Sequence, residues 1–421
     1  MGLRNINIIN QYLRLPKDIY LLVLARIVTY TARFIFPFLS LYLVTRLNYS
    51  ENTAGYFITA VSILSGPGLL LGGKLADKIG RKKTFIYFGA AALICLVICS
   101  ILGSSPLVPF FLIAAYCFIG GQNPAINAML IDLTDNETRK TSFSLLLLGT
   151  NIGMALGPLI VGYLFNNFIR LIFLVNAFLM AAVLLLIGFL VKDTLPDRKQ
   201  LESREINTSE KAEQGNVLAI LFRKYYLLIF SLLLIIFNFI FAQSNFSLPL
   251  YLESLFGNTG TIFYGNLMTL NLALVVFITL FFISYFKKFN PVINVCISGI
   301  LFAVGFGMIY MAKSFSLFII STIIWTMGQI INFIYSYVYI AEHSPITHRG
   351  RFSALIPFIS QAGFALAPML TGIFIKYNGI KNVWPFTFYL GIAAAFLMFI
   401  LYLFERRKAI RLSAAKQGQE K

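Results

Sequence analysis

Charged residues are scarce in this chain of 421 residues: they make up 12% of it, whereas a soluble globular domain carries roughly 25%. This scarcity excludes an ordinary soluble enzyme. The chain has two histidines and four cysteines, and all four cysteines fall inside apolar segments, so the sequence predicts neither a disulfide framework nor a metal site. It also lacks a phosphate-binding Gly-Lys-Ser/Thr loop, which argues against direct ATP drive. We therefore expect no cofactor and no metal.

Hydrophobic residues, in contrast, make up 58% of the chain and recur in runs long enough to cross a bilayer, which takes about 20 residues. Such runs follow one another from end to end. They predict an all-α integral membrane protein with twelve transmembrane helices, over residues 18–46, 53–73, 83–103, 106–133, 141–166, 169–191, 224–256, 261–286, 291–312, 316–342, 351–375 and 381–404.

The positive charges are distributed unevenly between the loops. The chain has 34 Lys and Arg against 16 Asp and Glu, a net charge of +18. If both termini are cytoplasmic, the inner segments hold most of these cations, and the outer segments hold only Arg46, Arg170, Lys313, Lys376 and Lys381. This bias follows the positive-inside rule and predicts a multi-pass protein of the cell membrane with cytoplasmic N and C termini. The excess charge is then an orientation signal, and we expect no nucleic-acid partner.

A polar segment divides the chain into two halves. Residues 192–223 are rich in Lys, Glu, Asp, Ser and Gln, so we expect a flexible cytoplasmic linker there. The predicted domains are six-helix bundles over 18–191 and 224–404, preceded by a cytoplasmic segment 1–17 and followed by a cytoplasmic tail 405–421. The first 17 residues show no signal-peptide cleavage pattern, so we expect the first span to be retained.

The two halves also resemble each other in sequence. A shift by half the chain lays residues 153–162 onto 363–372 with half of the positions identical. The same shift lays Asp132 onto Glu342 and Arg139 onto Arg349. Such repetition predicts two pseudo-symmetric bundles, a recurring plan of secondary transporters. We expect a monomer.

The loop between the second and third spans carries the most specific motif. It reads Gly73-Lys-Leu-Ala-Asp77-Lys-Ile-Gly80-Arg81 and resembles the signature loop of the major facilitator superfamily. The resemblance implies that family's twelve-helix fold over nearly the whole chain. Physically, Gly73 and Gly80 would allow tight backbone contact and a sharp loop, and Asp77 would face a helix N-terminus or an arginine as part of a conformational lock.

The fifth span carries a second motif, formed by Gly153, Gly157, Pro158 and Gly162, which resembles the motif of the drug-exporting antiporters of that superfamily. Val161 departs from the pattern, which has another Gly there. The resemblance implies multidrug efflux. We expect Gly153, Gly157 and Pro158 to take part in gating, as elements of a conformational switch. Packing alone is the alternative role, because small residues four apart let helices approach closely and Pro158 would bend the helix.

An acid and an arginine recur seven residues apart at the inner end of each half, as Asp132 with Arg139 and Glu342 with Arg349. Similar pairs in the superfamily form bridges between helices that break and re-form, which implies a conformational switch. The alternative is a pair of solvated loop charges worth under about 1 kcal/mol.

All acidic residues lie in loops, tails or span ends, and none is placed at mid-membrane. If protons drive transport, Asp132 and Glu342 are the leading carriers, followed by Glu253. Facilitated diffusion is the alternative.

Two arginines, Arg26 and Arg33, interrupt the first span on nearly the same helical face. Each costs about 2.5–3.5 kcal/mol at mid-bilayer, so something must compensate for it. Either they snorkel and bond to carbonyls or amides, or they face a wet cavity and bind an electronegative group of a substrate.

Amide side chains concentrate in spans four, five, seven, eight, ten and eleven, which predicts that these helices are interior, because a lipid-facing amide is costly. The alternative role of each amide is a helix-to-helix hydrogen bond. The predicted substrate-binding amides are Asn123, Asn127, Asn151, Gln243, Asn271, Gln329, Asn332 and Gln361.

Together these patterns predict a secondary active transporter that exports small amphipathic compounds by alternating access, coupled to protons, with membrane lipids as its surroundings. A transporter or flippase for an anionic or polar metabolite or lipid on the same fold is the first alternative. A membrane-embedded enzyme is the second, and the scattered acids and few histidines argue against it.

Overall fold

The computed structural model describes residues 15–135, 138–192, 224–344 and 349–419. Nearly all of the predicted linker 192–223 and most of the segment 1–17 therefore lie outside the described residues. Within the described ranges the regular structure is helical and contains no strand. The long helices are α1 (Lys17–Thr31), α2 (Glu51–Ile79), α3 (Arg81–Leu102), α4 (Val108–Asp132), α5 (Arg139–Leu164), α6 (Ile169–Leu190), α7 (Tyr225–Ala242), α8 (Asn258–Phe286), α9 (Pro291–Gly307), α10 (Phe315–His343), α11 (Arg349–Asn378) and α12 (Val383–Gln419).

Among the described residues, 11 helical segments are long and apolar enough to cross a membrane. The remaining predicted span corresponds to α4, a helix of 25 residues. Gln122, Asn123 and Asn127 make its inner half less apolar. These helices confirm the predicted all-α membrane fold. The helix α12 runs to Gln419, well past the predicted end of its span at 404, so the described part of the predicted tail continues the helix.

The first span is irregular where the sequence predicts one continuous helix. After α1 the chain tightens into a 3-10 helix over Ala32–Phe38, and a π-helical segment follows at Tyr42–Arg46. Pro37 lies inside the 3-10 segment and cannot donate a backbone hydrogen bond. Arg33 therefore projects from a tightened part of the helix rather than from a regular α-helix.

The seventh span is also interrupted. The helix α7 ends at Ala242, and a short helix, Ser247–Phe256, continues the span. Gln243 lies at the break and is fully buried. Its amide nitrogen donates to the carbonyl of Phe239 at 3.1 Å and to the Thr371 hydroxyl at 2.9 Å, and its oxygen accepts from the Ser247 hydroxyl at 2.6 Å. These bonds satisfy polar groups around the break.

The described residues group into two compact units. The first unit comprises the described residues up to 192 together with Leu252–Leu272, and the second comprises 224–251 and 273–419. The end of the seventh span and the start of α8 thus pack with the first unit. In the first unit, buried side chains such as Ile19, Leu22, Met129 and Ile187 form an apolar core.

Each unit contains a helix crossing in which a glycine of one helix packs against a backbone carbonyl of another. A Cβ added at Gly153 of α5 would collide with the carbonyl oxygen of Ile27 in α1. A Cβ added at Gly363 of α11 would collide with the carbonyl oxygen of Ile235 in α7. Gly153 and Gly363 are the residues that the half-chain shift superposes, so the sequence repeat corresponds to a repeated backbone contact.

Candidate functional site

Arg26 lies in the middle of α1 and is 6% exposed. Its two terminal nitrogens donate to Asn123 Oδ1 at 2.9 Å and to Asn127 Oδ1 at 2.6 Å. These asparagines are four residues apart, so they lie one turn apart on one face of α4. The two amide dipoles compensate for the burial of the guanidinium but do not neutralise its charge.

Arg33 shares an aromatic neighbour with Arg26. The guanidinium carbons of Arg26 and Arg33 lie 5.3 Å and 4.5 Å from the centroid of the Tyr30 ring, within reach of cation–π attraction. Arg33 is partly exposed and donates to the carbonyl of Ile119 at a long 3.4 Å. We call Arg26, Tyr30, Arg33, Asn123 and Asn127 the arginine cluster.

The arginine cluster carries positive charge in the middle of the span. The ion pairs among the described residues are those of Arg81 with Asp132 and Asp77, so neither Arg26 nor Arg33 is paired with a described carboxylate. Desolvated cations with spare donors attract anions and electronegative groups. The cluster can therefore bind the polar part of a substrate, and it repels cations.

The other predicted amides are spread over both units. In the first unit, Asn151 is half-buried on α5 and Asn271 is buried on α8. In the second unit, Gln329 and Asn332 are half-buried on α10, and Gln361 is exposed on α11. Asn332 donates to the Ser298 hydroxyl of α9 at 3.4 Å, which is a contact between helices.

The structure contradicts the predicted substrate-binding role of Gln243. Its amide is enclosed and hydrogen-bonded at both ends to groups of the second unit. These bonds leave no room for a direct substrate contact in this conformation, and they correspond to the alternative role of an amide that joins helices.

The inner end of the first unit holds a buried ion pair. Arg81 Nε, at the start of α3, lies 2.9 Å from Asp132 Oδ2, at the end of α4, and the two side chains are 10% and 7% exposed. Asp77 Oδ1 lies 3.8 Å from Arg81 Nη2, and the Asp77 side chain is 78% exposed. The motif arginine thus joins α3 to α4, and Asp77 lies at the periphery of that pair.

The spacing of seven did not identify the ion-pair partner of Asp132. That partner is Arg81, whereas Arg139 donates to the backbone carbonyl of Thr134 at 3.2 Å. The reason is local: α4 ends at Asp132, and the carbonyls that follow a helix end attract a nearby cation. Glu342 is exposed near the end of α10, and the side chain of its predicted partner Arg349 lies outside the described residues.

Of the proposed proton carriers, Asp132 has the buried side chain. Glu342 is exposed, and Glu253 is half-buried on the short helix after α7. A proton bound at Asp132 would break its pairing with Arg81. Among the three candidates, protonation of Asp132 would therefore have the most direct effect on a contact between helices.

The motif glycines play different structural roles. Gly80 separates α2 from α3 with a φ of 108°, so it forms the predicted sharp turn. The tight contact predicted for Gly73 is wrong, because a Cβ there would meet only the Pro124 side chain, at 3.8 Å. The close approach occurs one residue earlier, at Gly72, where an added Cβ would collide with the backbone of Gly121. Gly72 lies on the face of α2 that contacts α4.

The fifth-span motif packs against two neighbours. Besides the contact of Gly153 with α1, a Cβ added at Gly265 of α8 would lie 2.6 Å from the Pro158 carbonyl oxygen and 3.2 Å from the Gly162 Cα. Gly157 is buried on the same helix. The motif therefore brings α5 close to α1 and to the start of α8.

Two polar or aromatic contacts of the structure were not predicted from the sequence. Tyr30 lies four residues after Arg26 and three before Arg33, so helical spacing could have placed its ring between them. A second cluster joins helices of the second unit: Tyr339 of α10 donates to the Glu405 carboxylate of α12 and stacks on His343. No sequence signal links Tyr339 to Glu405.

Comparisons with known proteins agree on the family. The model of the Major Facilitator Superfamily matches residues 22–345 and 260–421. The MFS-type transporter YqjV of Bacillus subtilis (strain 168) is 27% identical over 383 residues, covering 88% of this chain and 90% of the relative. A Na(+), Li(+), K(+)/H(+) antiporter of Planococcus maritimus is 23% identical over 394 residues, covering 84% of this chain and 92% of the relative.

Solved structures share the fold. A peptide transporter POT in complex with sulfate superposes with a TM-score of 0.72 at 15% identity, covering 93% of this chain and 95% of that one. A nucleoside transporter, NupG, superposes with a TM-score of 0.72 at 16% identity, covering 92% of this chain and 99% of that one. At such identities the likeness is one of fold.

Proposed function

This chain belongs to the Major Facilitator Superfamily and is a multi-pass membrane transporter rather than an enzyme, and we propose that it exports small amphipathic compounds whose polar part is anionic or electronegative. Transport proceeds by alternating access, in which the binding site opens to one side of the membrane at a time. The protein works in the cell membrane as a monomer with cytoplasmic termini.

The observation that carries this proposal is the arginine cluster. Two guanidinium groups lie within one span, and their described partners are amides, a carbonyl and an aromatic ring. Burying each cation costs desolvation free energy, and amide dipoles offset only part of this cost. An anionic or electronegative group on a substrate would supply the missing counter-charge, whereas a cationic drug would add to the repulsion.

The fifth-span motif supports outward transport. Its resemblance to the motif of drug-exporting antiporters points to efflux, and its small residues bring α5 against α1 and the start of α8. Close backbone contacts of this kind are sensitive to small shifts between helices, so they suit a contact that forms in one state of the transport cycle and loosens in the other.

Proton exchange is the proposed energy source. Asp132 is buried against Arg81, so its protonation would release an ion pair at the inner end of α3 and α4. A relative of this chain is named as an antiporter of Na(+), Li(+), K(+) and H(+). The cationic arginine cluster argues against metal cations as substrates of this chain.

Transport by purified protein in proteoliposomes tests the proposal. The panel comprises amphipathic anions, neutral compounds and cations, each assayed with and without an imposed pH gradient. We expect anions and neutral compounds to be carried in preference to cations, and the gradient to drive their accumulation. If none of the compounds is transported, the proposed substrate class is wrong. If the pH gradient has no effect on transport, the mechanism is facilitated diffusion rather than proton exchange.

A further inference from the structure

The two arginines of the cluster use their donors differently. Both terminal nitrogens of Arg26 are engaged by asparagine oxygens at 2.9 Å and 2.6 Å, and the side chain is buried. The single hydrogen bond described for Arg33 is at 3.4 Å, and the side chain is partly exposed. In both arginines, Nε has no hydrogen-bond partner among the residues that the structure describes. Because the terminal nitrogens of Arg26 are both engaged, more donor capacity is unused on Arg33 than on Arg26.

Tyr30 connects the two arginines. Its ring lies under both guanidinium groups, and it is closer to Arg33, at 4.5 Å, than to Arg26, at 5.3 Å. Stacking on a ring fixes the plane of a guanidinium while its edges remain free to donate. Because Arg26 is bonded to two residues of α4, it also fixes the rotation of α1 that places Tyr30 and Arg33.

The position of Arg33 explains why its donors remain available. It lies in the 3-10 segment Ala32–Phe38, where three residues per turn change the direction of side chains relative to α1. On α4, the hydrogen bond described for Arg33 goes to the carbonyl of Ile119, whereas Arg26 donates to Asn123 and Asn127, which lie one and two turns further along the same helix. A partly exposed guanidinium at this depth needs a polar neighbour, since lipid cannot solvate it, and the buried Nε of Arg33 has no hydrogen-bond partner within the described part of the chain.

We infer that Arg33 binds the carboxylate of an amphipathic substrate through the forked donors of its guanidinium, and that Arg26 is a positioning residue that does not touch the substrate. This inference rests on the proposed function and assigns its substrate class. A carboxylate accepts two parallel hydrogen bonds from a guanidinium, which a primary amide or a quaternary ammonium group cannot do. Arg33 thereby determines specificity for the charged group, and the rest of the cluster sets its orientation.

The test compares three compounds that share a phenylpropyl group: 4-phenylbutyrate, 4-phenylbutyramide and 3-phenylpropyltrimethylammonium. Counterflow exchange in proteoliposomes at neutral pH, without a pH gradient, measures the transport rate of each compound independently of proton coupling. We expect the wild type to prefer phenylbutyrate. Arg33→Gln should lower kcat/KM for phenylbutyrate by about tenfold or more and leave that for phenylbutyramide within about twofold, because a lost charge-assisted hydrogen bond affects only the carboxylate.

Three further variants separate contact from positioning. Arg33→Lys should retain part of the preference for phenylbutyrate, since it keeps the charge but not the fork. Arg26→Gln should lower transport of phenylbutyrate and phenylbutyramide by similar factors. Arg46→Gln is the matched control: this arginine of the same span donates to the carbonyls of Phe165 and Asn166, so its removal should leave the ratio between the two compounds unchanged.

The outcomes distinguish the inference from the proposed function. If the wild type carries none of the three compounds, both are overturned. If it carries them but Arg33→Gln keeps the wild-type ratio of phenylbutyrate to phenylbutyramide, the inference alone is overturned. Should Arg33→Gln fail to fold, Arg33→Lys decides: a ratio reduced several-fold supports the inference, and an unchanged ratio overturns it.

Discussion

At the scale of single residues, the first unit compensates for its buried charges in two different ways. Arg26 and Arg81 are both buried arginines, but amides compensate for Arg26 and a carboxylate compensates for Arg81. A buried ion pair adds little net stability, yet removing one partner leaves the other charge buried without a counter-charge. The two sites should therefore respond differently to substitution.

Replacing the carboxylate of the buried ion pair provides the first prediction. Asp132→Asn leaves the Arg81 guanidinium 10% exposed without its 2.9 Å partner, so we expect a loss of about 3–5 kcal/mol in the free energy of unfolding. Asp77→Asn is the control, because the Asp77 side chain is 78% exposed, and its effect should stay below about 1 kcal/mol. Thermal unfolding in detergent compares them, and equal losses would contradict the role of the pair.

Two neighbouring glycines provide the second prediction. A Cβ at Gly72 would overlap with the backbone of Gly121, which cannot move aside as a side chain could. Gly72→Ala should therefore cost about 1–3 kcal/mol through overpacking between α2 and α4. At Gly73 the nearest atom would be 3.8 Å away, so Gly73→Ala should be neutral or raise stability by up to about 1 kcal/mol. A higher unfolding temperature for Gly72→Ala than for Gly73→Ala would contradict the contact of Gly72 with α4.

Residue types were easier to predict from the sequence than residue contacts. The sequence shows that Arg26 and Arg33 need compensation and that α4 carries amides. It does not show that Asn123 and Asn127 meet Arg26, because this pairing depends on how α1 and α4 are rotated about their axes. The same limit explains why the sequence predicts a close contact at Gly73, whereas the structure has it at Gly72.

At the scale of elements, hydropathy predicts helices well, because a membrane helix must satisfy its backbone hydrogen bonds within itself. Most predicted span ends lie within about three residues of a helix end. The exceptions are α2, which continues to Ile79, α9, which ends at Gly307, α12, which continues to Gln419, and the interrupted first span. The interruptions at Ala32–Phe38 and after Ala242 were not predicted. The break after Ala242 involves partners that are distant in sequence, such as Thr371 for Gln243.

The break in the seventh span provides the third prediction. Gln243→Leu removes the bonds to Phe239, Thr371 and Ser247 and leaves buried polar groups without partners. We expect a loss of about 1–3 kcal/mol for these groups and a lower unfolding temperature. Gln361→Leu is the matched control on an exposed position and should stay within about 0.5 kcal/mol of the wild type. If Gln243→Leu were as stable as the wild type but had lost substrate binding, the structural role would be contradicted and the substrate contact predicted from the sequence would be supported.

At the scale of the whole molecule, the sequence repeat and the fold support each other. Gly153 and Gly363 make the same kind of backbone contact in their own units, which a chance similarity between apolar helices would not produce. Family membership and the transporter fold follow from the comparisons. The fold is shared by peptide and nucleoside transporters, so it determines neither the substrate nor the direction of transport. We propose that Arg33 determines the substrate class and that the fifth-span motif favours export.

The central claim that we propose is alternating access, in which polar positions within the spans become accessible from each side of the membrane in turn. Single cysteines at Asn151 and Gln329, in a protein whose four natural cysteines are replaced by serine or alanine, test it with membrane-impermeant thiol reagents added from either side. Alternating access predicts labelling from one side that is slowed by a transported substrate and shifts to the other side when the gradient is reversed. Cysteines that remain sealed from both sides under every condition would contradict it.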